Sequence, residues 1–277
     1  MRESPITSTV DFDKVGVQHG FLKLPHSHDD SAWGSIVIPI SVAKNGDGPT
    51  ILFTGAHHGD EYEGQVALTN LAKSLDPARI KGRVIIMTMA NYPAALAGRR
   101  VSPIDDLNMN RIFPGDPDGT VTRQIAYYID SELIPLADFV MDLHSGGSSL
   151  NYVPCALATQ SNDPVLFQKQ LATLRAFGAP YTYIQGGAQG QGGNQTLGSG
   201  AERRGKIALG SELGGSGTVN RAGLAIAERG ARPVALLDEY GFDGAYVSEY
   251  ARMARSEEGF AAWCAREVFE QKAQAAE

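Results

Sequence analysis

The reactive side chains of this sequence gather in a few short blocks, the densest being Gly55-Ala56-His57-His58-Gly59-Asp60-Glu61, directly after the strand-like Thr50-Ile51-Leu52-Phe53-Thr54. A histidine and a glutamate three residues apart converge on one ion if the chain turns into a helix there, because such side chains share a helix face. Imidazole and carboxylate suit Zn²⁺, and two histidines with one glutamate form a catalytic zinc set that leaves a position open for water. The third ligand is expected from another strand end. Among the histidines only His144 ends an expected buried strand, in Met141-Asp142-Leu143-His144-Ser145-Gly146. Asp142 beside it is suited to hydrogen-bond an imidazole from behind. His57 competes with His58 for the metal. His26 and His28 form either a separate exposed metal-binding pair or part of a solvated loop.

These blocks need a scaffold, and the apolar pattern supplies one. Arg83–Met89, Phe139–Leu143 and Ile207–Leu209 are short apolar runs of the kind that form buried strands. Between them, residues 63–75, 120–136 and 165–176 carry helical periodicity. This alternation predicts an α/β fold with a mostly parallel, mixed central sheet flanked by helices. Ser35–Val42 and Thr50–Thr54, separated by the turn Asn45-Gly46-Asp47-Gly48, are expected to pair as a hairpin. The polar stretch up to about Asp30 is expected to be loop. Residues 91–119 and the glycine-rich 185–200 read as long loops, which in compact domains usually carry function. In open α/β sheets such loops leave the carboxyl ends of the strands, where the reactive blocks lie.

Composition narrows the function. A net charge of −7 argues against a nucleic-acid partner, which requires excess Lys and Arg. No apolar run reaches the roughly 20 residues that span a bilayer, and the polar start lacks a leader's apolar stretch. Cys155 and Cys264 lie far apart and read as buried free thiols of a cytoplasmic protein. There is no Gly-x-Ser-x-Gly nucleophile elbow, no phosphate-binding Gly-x-x-x-x-Gly-Lys-Ser/Thr and no Gly-x-Gly-x-x-Gly. The glycine-rich segment is therefore expected to form a rim or lid.

Taken in order, Gly-x-His57-His58-Gly-Asp-Glu61, Asn91-Tyr92-Pro93, Asn108-Met109-Asn110-Arg111-Ile-Phe-Pro-Gly115, Asp142-Leu-His144-Ser-Gly and Ser211-Glu212-Leu-Gly resemble the succinylglutamate desuccinylase and aspartoacylase family, a branch of the zinc carboxypeptidase superfamily. The match covers about residues 50–215. Arg99-Arg100-Val-Ser-Pro-Ile-Asp and the opening Ser4-Pro-Ile-Thr-x-Thr-Val-Asp-Phe12 are most similar to a bacterial ectoine-utilisation subgroup that deacetylates N2-acetyl-L-2,4-diaminobutanoate. The resemblance implies a zinc-carboxypeptidase-like fold, with His58, Glu61 and His144 as zinc ligands and Glu212 as the catalytic glutamate. It implies that Asn110 and Arg111 grip a substrate carboxylate and that Arg100 polarises the scissile carbonyl, with Arg99 as the alternative one position away. The partner it implies is a small N-acyl amino acid. Another acyl amino acid such as succinylglutamate or acetylaspartate, a peptide, or a non-catalytic metal-binding role are the competing expectations.

The end of the chain departs from the family pattern, because no β-rich C-terminal domain can be located in it. Residues 218–229 are expected to be helical and Pro233–Leu237 a strand. The expected division is a catalytic domain over 1–240 and a helical segment over 241–277. In that segment Phe260, Trp263, Cys264, Val268 and Phe269 form an apolar stripe suited to core packing or to contact with a second copy. Tyr240, Tyr246 and Tyr250 are candidate substrate contacts.

Overall fold

The computed structural model describes residues 2–186 and 193–235. The strands are β1 (Thr7–Ser8), β2 (Gly16–Pro25), β3 (Ser35–Asn45), β4 (Thr50–Gly55), β5 (Gly82–Met87), β6 (Phe139–His144), β7 (Cys155–Thr159), β8 (Tyr181–Gln185) and β9 (Ile207–Glu212). They form one sheet in the order β1-β2-β3-β5-β4-β6-β9-β7-β8. The middle run β5-β4-β6-β9 is parallel, while β1-β2-β3-β5 and β9-β7 pair antiparallel. The outer pair β7-β8 is parallel again. The expected mixed α/β sheet is present, with its parallel part concentrated in the middle.

The central strands are buried on both faces, which is why they read as continuous apolar runs. Leu52, Ile85 and Val140 pack on one side with Leu22, Ile38, Phe113 and Ile125. Ile51, Phe53 and Met141 pack on the other with Leu68, Phe177 and Ile226. Each such side chain contributes roughly 1.5–3 kcal/mol when fully buried. The helices covering the faces are α1 (Tyr62–Lys73), α2 (Tyr92–Ala97), α3 (Val121–Tyr128), α4 (Ile134–Leu136), α5 (Pro164–Phe177), α6 (Leu197–Arg203) and α7 (Arg221–Ala235). A π turn at Ile129–Leu133 joins α3 to α4, completing the helical stretch expected at 120–136. Among the described residues no helix is long and apolar enough to cross a membrane.

Three expectations are corrected. β3 and β4 do not pair as a hairpin: β5 lies between them, antiparallel to β3 and parallel to β4. An apolar strand that can bury both faces gains more in that slot than at an edge. The stretch expected to be loop up to Asp30 contains β2, which pairs with β3 along its whole length. Its alternation is legible only at the end, where Leu22 and Leu24 are buried and Phe21 and Lys23 are not. Pro233, Val234 and Ala235, expected to open a strand, belong to α7 instead. A short apolar run does not distinguish the two structures by itself. Asn220 starts that helix, its Oδ1 accepting from the backbone N–H groups of Ala222 and Gly223 at 2.9 and 3.1 Å. The helical segment expected at 241–277, with its apolar stripe and the candidate tyrosines, lies outside the described residues.

The parallel strands bring the reactive blocks to one edge. Gly55 at the end of β4 lies opposite Leu143 of β6, and His144 lies opposite Glu212 of β9. Helix α1 comes close to this edge because residue 64 is glycine. A Cβ there would stand 2.6 Å from the Leu143 carbonyl oxygen. Gly→Ala in a helix normally stabilises by about 1 kcal/mol. Here Gly64→Ala is expected to destabilise by about 1–3 kcal/mol through overpacking, read as a lower urea midpoint. A raised midpoint would contradict this packing.

Candidate metal centre

The chain leaves β4 through Ala56, whose φ of 56° lies in the left-handed region that a non-glycine residue enters at a cost. The turn is held from outside. Asn91 N–H donates to the Ala56 carbonyl at 3.0 Å, and Gly59 N–H donates to the Arg99 carbonyl at 2.9 Å. Past this kink the two adjacent histidines part. His57 is wholly buried and directs Nδ1 at Asp142 Oδ1, 2.8 Å away. His58 lines a cavity of ≈ 380 Å³, a size suited to a small molecule.

The Glu61 carboxylate is the meeting point. His58 Nδ1 lies 2.6 Å from its Oε1, and His144 Nδ1 lies 2.7 Å from its Oε2. Ser145 N–H donates to Oε2 at 3.2 Å, and Arg100 Nη1 donates to Oε1 at 3.3 Å. The far nitrogen of each ring also has an acceptor. His58 Nε2 stands 3.0 Å from Asn108 Oδ1, and His144 Nε2 stands 2.8 Å from Asp142 Oδ2. With Nε2–H donated to those oxygens, the Nδ1 lone pairs of both rings face a buried carboxylate. That arrangement is unfavourable unless a proton or a metal cation lies among the three groups. Their ligand atoms all lie within 4.8 Å of one another. The donor chemistry therefore fits a divalent ion held by His58, Glu61 and His144, with Asn108 and Asp142 fixing the tautomers from behind.

The charges respond accordingly. Burial disfavours an ionised Glu61, but His144 and His58 outweigh it and hold the carboxyl at about 2. Burial also opposes an ionised His144, yet Asp142 and Glu61 raise it well above the ordinary imidazole range. For His58, burial wins over Glu61 and lowers the pKa.

A second group, His57, Asp142 and His144, also has metal-type donors within 4.8 Å. There Asp142 Oδ1 already accepts from Thr54 Oγ1 at 2.8 Å, and the set is buried away from the cavity on the His57 side. The geometry gives the cavity-facing role to His58. The His26 and His28 rings lie tilted to each other, 5.2 Å between centroids, in the loop after β2.

The other expected residues fall as follows. Glu212 ends β9 and lines the cavity. Burial first, then Glu61 and Asp142, raise its carboxyl to about 8 against the pull of His144 and Arg100. Its Oε2 is buried without a hydrogen-bond partner among the described residues. Arg100 and Arg111 both line the cavity. Arg99 turns away to the exposed Asp106 at 3.4 Å, whereas Arg100 lines the cavity. Arg111 makes no ion pair among the described residues, and burial and the charge of Arg100 lower its pKa. Asn110 also lines the cavity, but its side chain is partly committed. Oδ1 accepts from Leu197 N–H at 2.9 Å.

Sequence reasoning assigned no role to Asn108, although it stands in the same block as Asn110 and Arg111. It also passed over Asp60, whose Oδ2 accepts from Ser148 N–H and Oγ at 2.8 and 2.7 Å and so fastens the loop after His144. Substitution separates the two metal-type groups. His58→Ala and Glu61→Ala are each expected to abolish uptake of one divalent ion per chain. His57→Ala should weaken uptake by only about 10- to 100-fold, through Asp142. Metal content after dialysis and competition with a chelating dye check both, and equal loss in all three variants would contradict the assignment.

Residues 47–237 match the succinylglutamate desuccinylase/aspartoacylase catalytic domain. An N-alpha-acetyl-L-2,4-diaminobutyric acid deacetylase of Halomonas elongata is 51% identical over 229 residues, which is 83% of this chain and 66% of that protein. The chain thus spans about two thirds of that relative's length. A succinylglutamate desuccinylase structure from Silicibacter sp. TM1040 superposes with a TM-score of 0.82 at 47% identity, covering 87% of this chain and 72% of that one. The product-bound ectoine utilization protein EutE (DoeB) from Ruegeria pomeroyi gives a TM-score of 0.81 at 48% identity, covering 84% and 70%. With the family domain matched across most of its length, the chain belongs to the succinylglutamate desuccinylase/aspartoacylase family.

Proposed function

We propose that this chain is a zinc-dependent amidohydrolase that removes the acetyl group from N2-acetyl-L-2,4-diaminobutanoate. The observation that carries the reading is the convergence of His58 and His144 Nδ1 on the Glu61 carboxylate in a cavity shared with Glu212 and Arg111. The name of the Halomonas relative supports the choice of substrate. Zn²⁺ suits two imidazoles and a carboxylate, and when bound it supplies Lewis acidity toward the amide carbonyl and toward water.

The chain's own residues do the rest. Arg111, without a counter-ion among the described residues, offers a planar fork to the substrate's α-carboxylate. Asn110 beside it narrows the approach. This anchoring places the acetyl amide near Glu61 and Arg100. The Arg100 guanidinium, partly exposed in the cavity, meets the negative charge that grows on the carbonyl oxygen as water adds. Glu212 takes the proton from that water and returns it to the departing amine nitrogen, so that amide and water become acetate and a free α-amine. A buried carboxyl raised above the ordinary carboxylate range is suited both to take the first proton and to give it up in the second transfer.

Amine release from N2-acetyl-2,4-diaminobutanoate, acetylaspartate and succinylglutamate, measured side by side on the zinc-loaded protein, should favour the first. Preference for another keeps the chemistry and rejects this substrate. Glu212→Gln should lower kcat by roughly 10²- to 10⁴-fold while zinc uptake is retained. Activity close to that of the unsubstituted protein would remove the mechanism.

The pH profile follows from the same residue. Glu212 accepts a proton only when ionised, and its pKa is raised. kcat/KM should therefore climb with pH on the acid side, over a range above that of an ordinary carboxylate, and then level off. A rate that falls across that range would contradict Glu212 as the base.

A further inference from the structure

The cavity does not end at the metal-type cluster. Ala208 and Leu209 of β9, Leu157 and Ala158 of β7 and Glu202 of α6 line it as well. From this we infer that Glu202 is the specificity-determining residue for a cationic substrate side chain, its carboxylate receiving a primary ammonium at the far end of an apolar-walled pocket. The substrate class rests on the deacetylation reading above.

The position is built rather than incidental. Helix α6 begins at a Thr196 capping box, and the Leu197 N–H is fixed to Asn110 Oδ1 at 2.9 Å. The start of the helix is thus tied to the residue beside His144. Glu202 stands five residues on, roughly 7.5 Å along the axis at 1.5 Å per residue. One of its oxygens is fixed as well. Gln170 of α5, fully buried, donates from Nε2 to Glu202 Oε1 at 3.0 Å. The other oxygen has no hydrogen bond, and the carboxylate no ion pair, among the described residues. The adjacent Arg203 donates to the Asn194 carbonyl and to Ser199 Oγ, and its charge favours the ionised Glu202 without pairing with it. Burial raises the Glu202 carboxyl to about 7, and a cation placed beside it would favour the ionised form.

The charge layout then reads as a selector. Arg100 and Arg111 stand in the cavity with the metal-type cluster, and a carboxylate stands at the end of the apolar run. A molecule with a carboxylate, a short aliphatic stem and a terminal ammonium meets opposite charge at both ends. A side chain ending in a carboxylate meets Glu202 instead and is repelled, which works against acidic acyl amino acids as strongly as it favours a basic one.

The test compares ligands that differ only in the amine. Binding of 2,4-diaminobutanoate and of 2-aminobutanoate to the zinc-loaded full chain is measured by calorimetry, for the unsubstituted protein and for Glu202→Gln. The glutamine keeps an oxygen for Gln170. The unsubstituted protein should prefer the diamine by roughly 10- to 100-fold, as expected of a charge-assisted hydrogen bond. Glu202→Gln should abolish that preference by weakening the diamine alone. With acetylated substrates the same variant should raise KM for the diamine and leave kcat, and the hydrolysis of N-acetyl-2-aminobutanoate, unchanged. Equal weakening of both ligands would make Glu202 a mere link between α6 and α5 and overturn the proposal, as would a retained preference. If the binding preference is found and lost as stated but no acetyl amide is cleaved, the ammonium site stands and the deacetylase reading fails.

Discussion

Everything at this site depends on one carboxylate that is taken out of water. Glu61 is 2% exposed and has two imidazole nitrogens, a guanidinium and a backbone N–H directed at it. A buried carboxylate is costly unless positive charge comes with it. The surrounding structure concentrates that charge rather than dispersing it. Asn108 and Asp142 hold the outer nitrogens of His58 and His144, which leaves the inner ones directed at Glu61. Asp142 in turn is fixed by His57 and Thr54, so the fixing extends a further layer into the core.

The sheet makes this arrangement affordable in structural terms. Because β4, β6 and β9 run parallel, their carboxyl ends deliver Glu61, His144 and Glu212 to the same edge from three places far apart in the chain. The strained turn at Ala56 sends adjacent histidines to different tasks. The segment after β5 carries Asn91 before α2 and Arg99 after it, whose backbone groups brace that turn, and then Arg100 and Arg111, which bring positive charge to the cavity. The same scaffold brings Glu202 of α6 to the lining of that cavity.

Much of this was legible in the sequence where chemistry and periodicity coincide. The apolar runs of β4, β5, β6 and β9 are buried on both faces, so hydrophobicity alone marks them. The His-His-Gly-Asp-Glu block and Asp142-Leu-His144 stand out because several ligand types fall at strand ends. What was not legible depends on pairing across distance. β2 has polar and apolar residues mixed over its first half, so only its contact with β3 shows it to be a strand. The place of β5 between β3 and β4 is a matter of topology, and local turn chemistry pointed to a hairpin. Glu202 looks like any helical surface acid until β7 and β9 are seen to wall the path leading to it. Asn108 was hidden by its neighbours, since an asparagine's value here lies in which ring nitrogen it meets.

The central claim is that His58, Glu61 and His144 together hold a zinc ion. Zinc-edge anomalous diffraction from crystals grown with zinc tests it most directly. One zinc per chain is expected, with two imidazole nitrogens and a carboxylate oxygen at about 2.0–2.2 Å, on the cavity side of Glu61. Zinc between His57 and Asp142, or no zinc at Glu61, would contradict it.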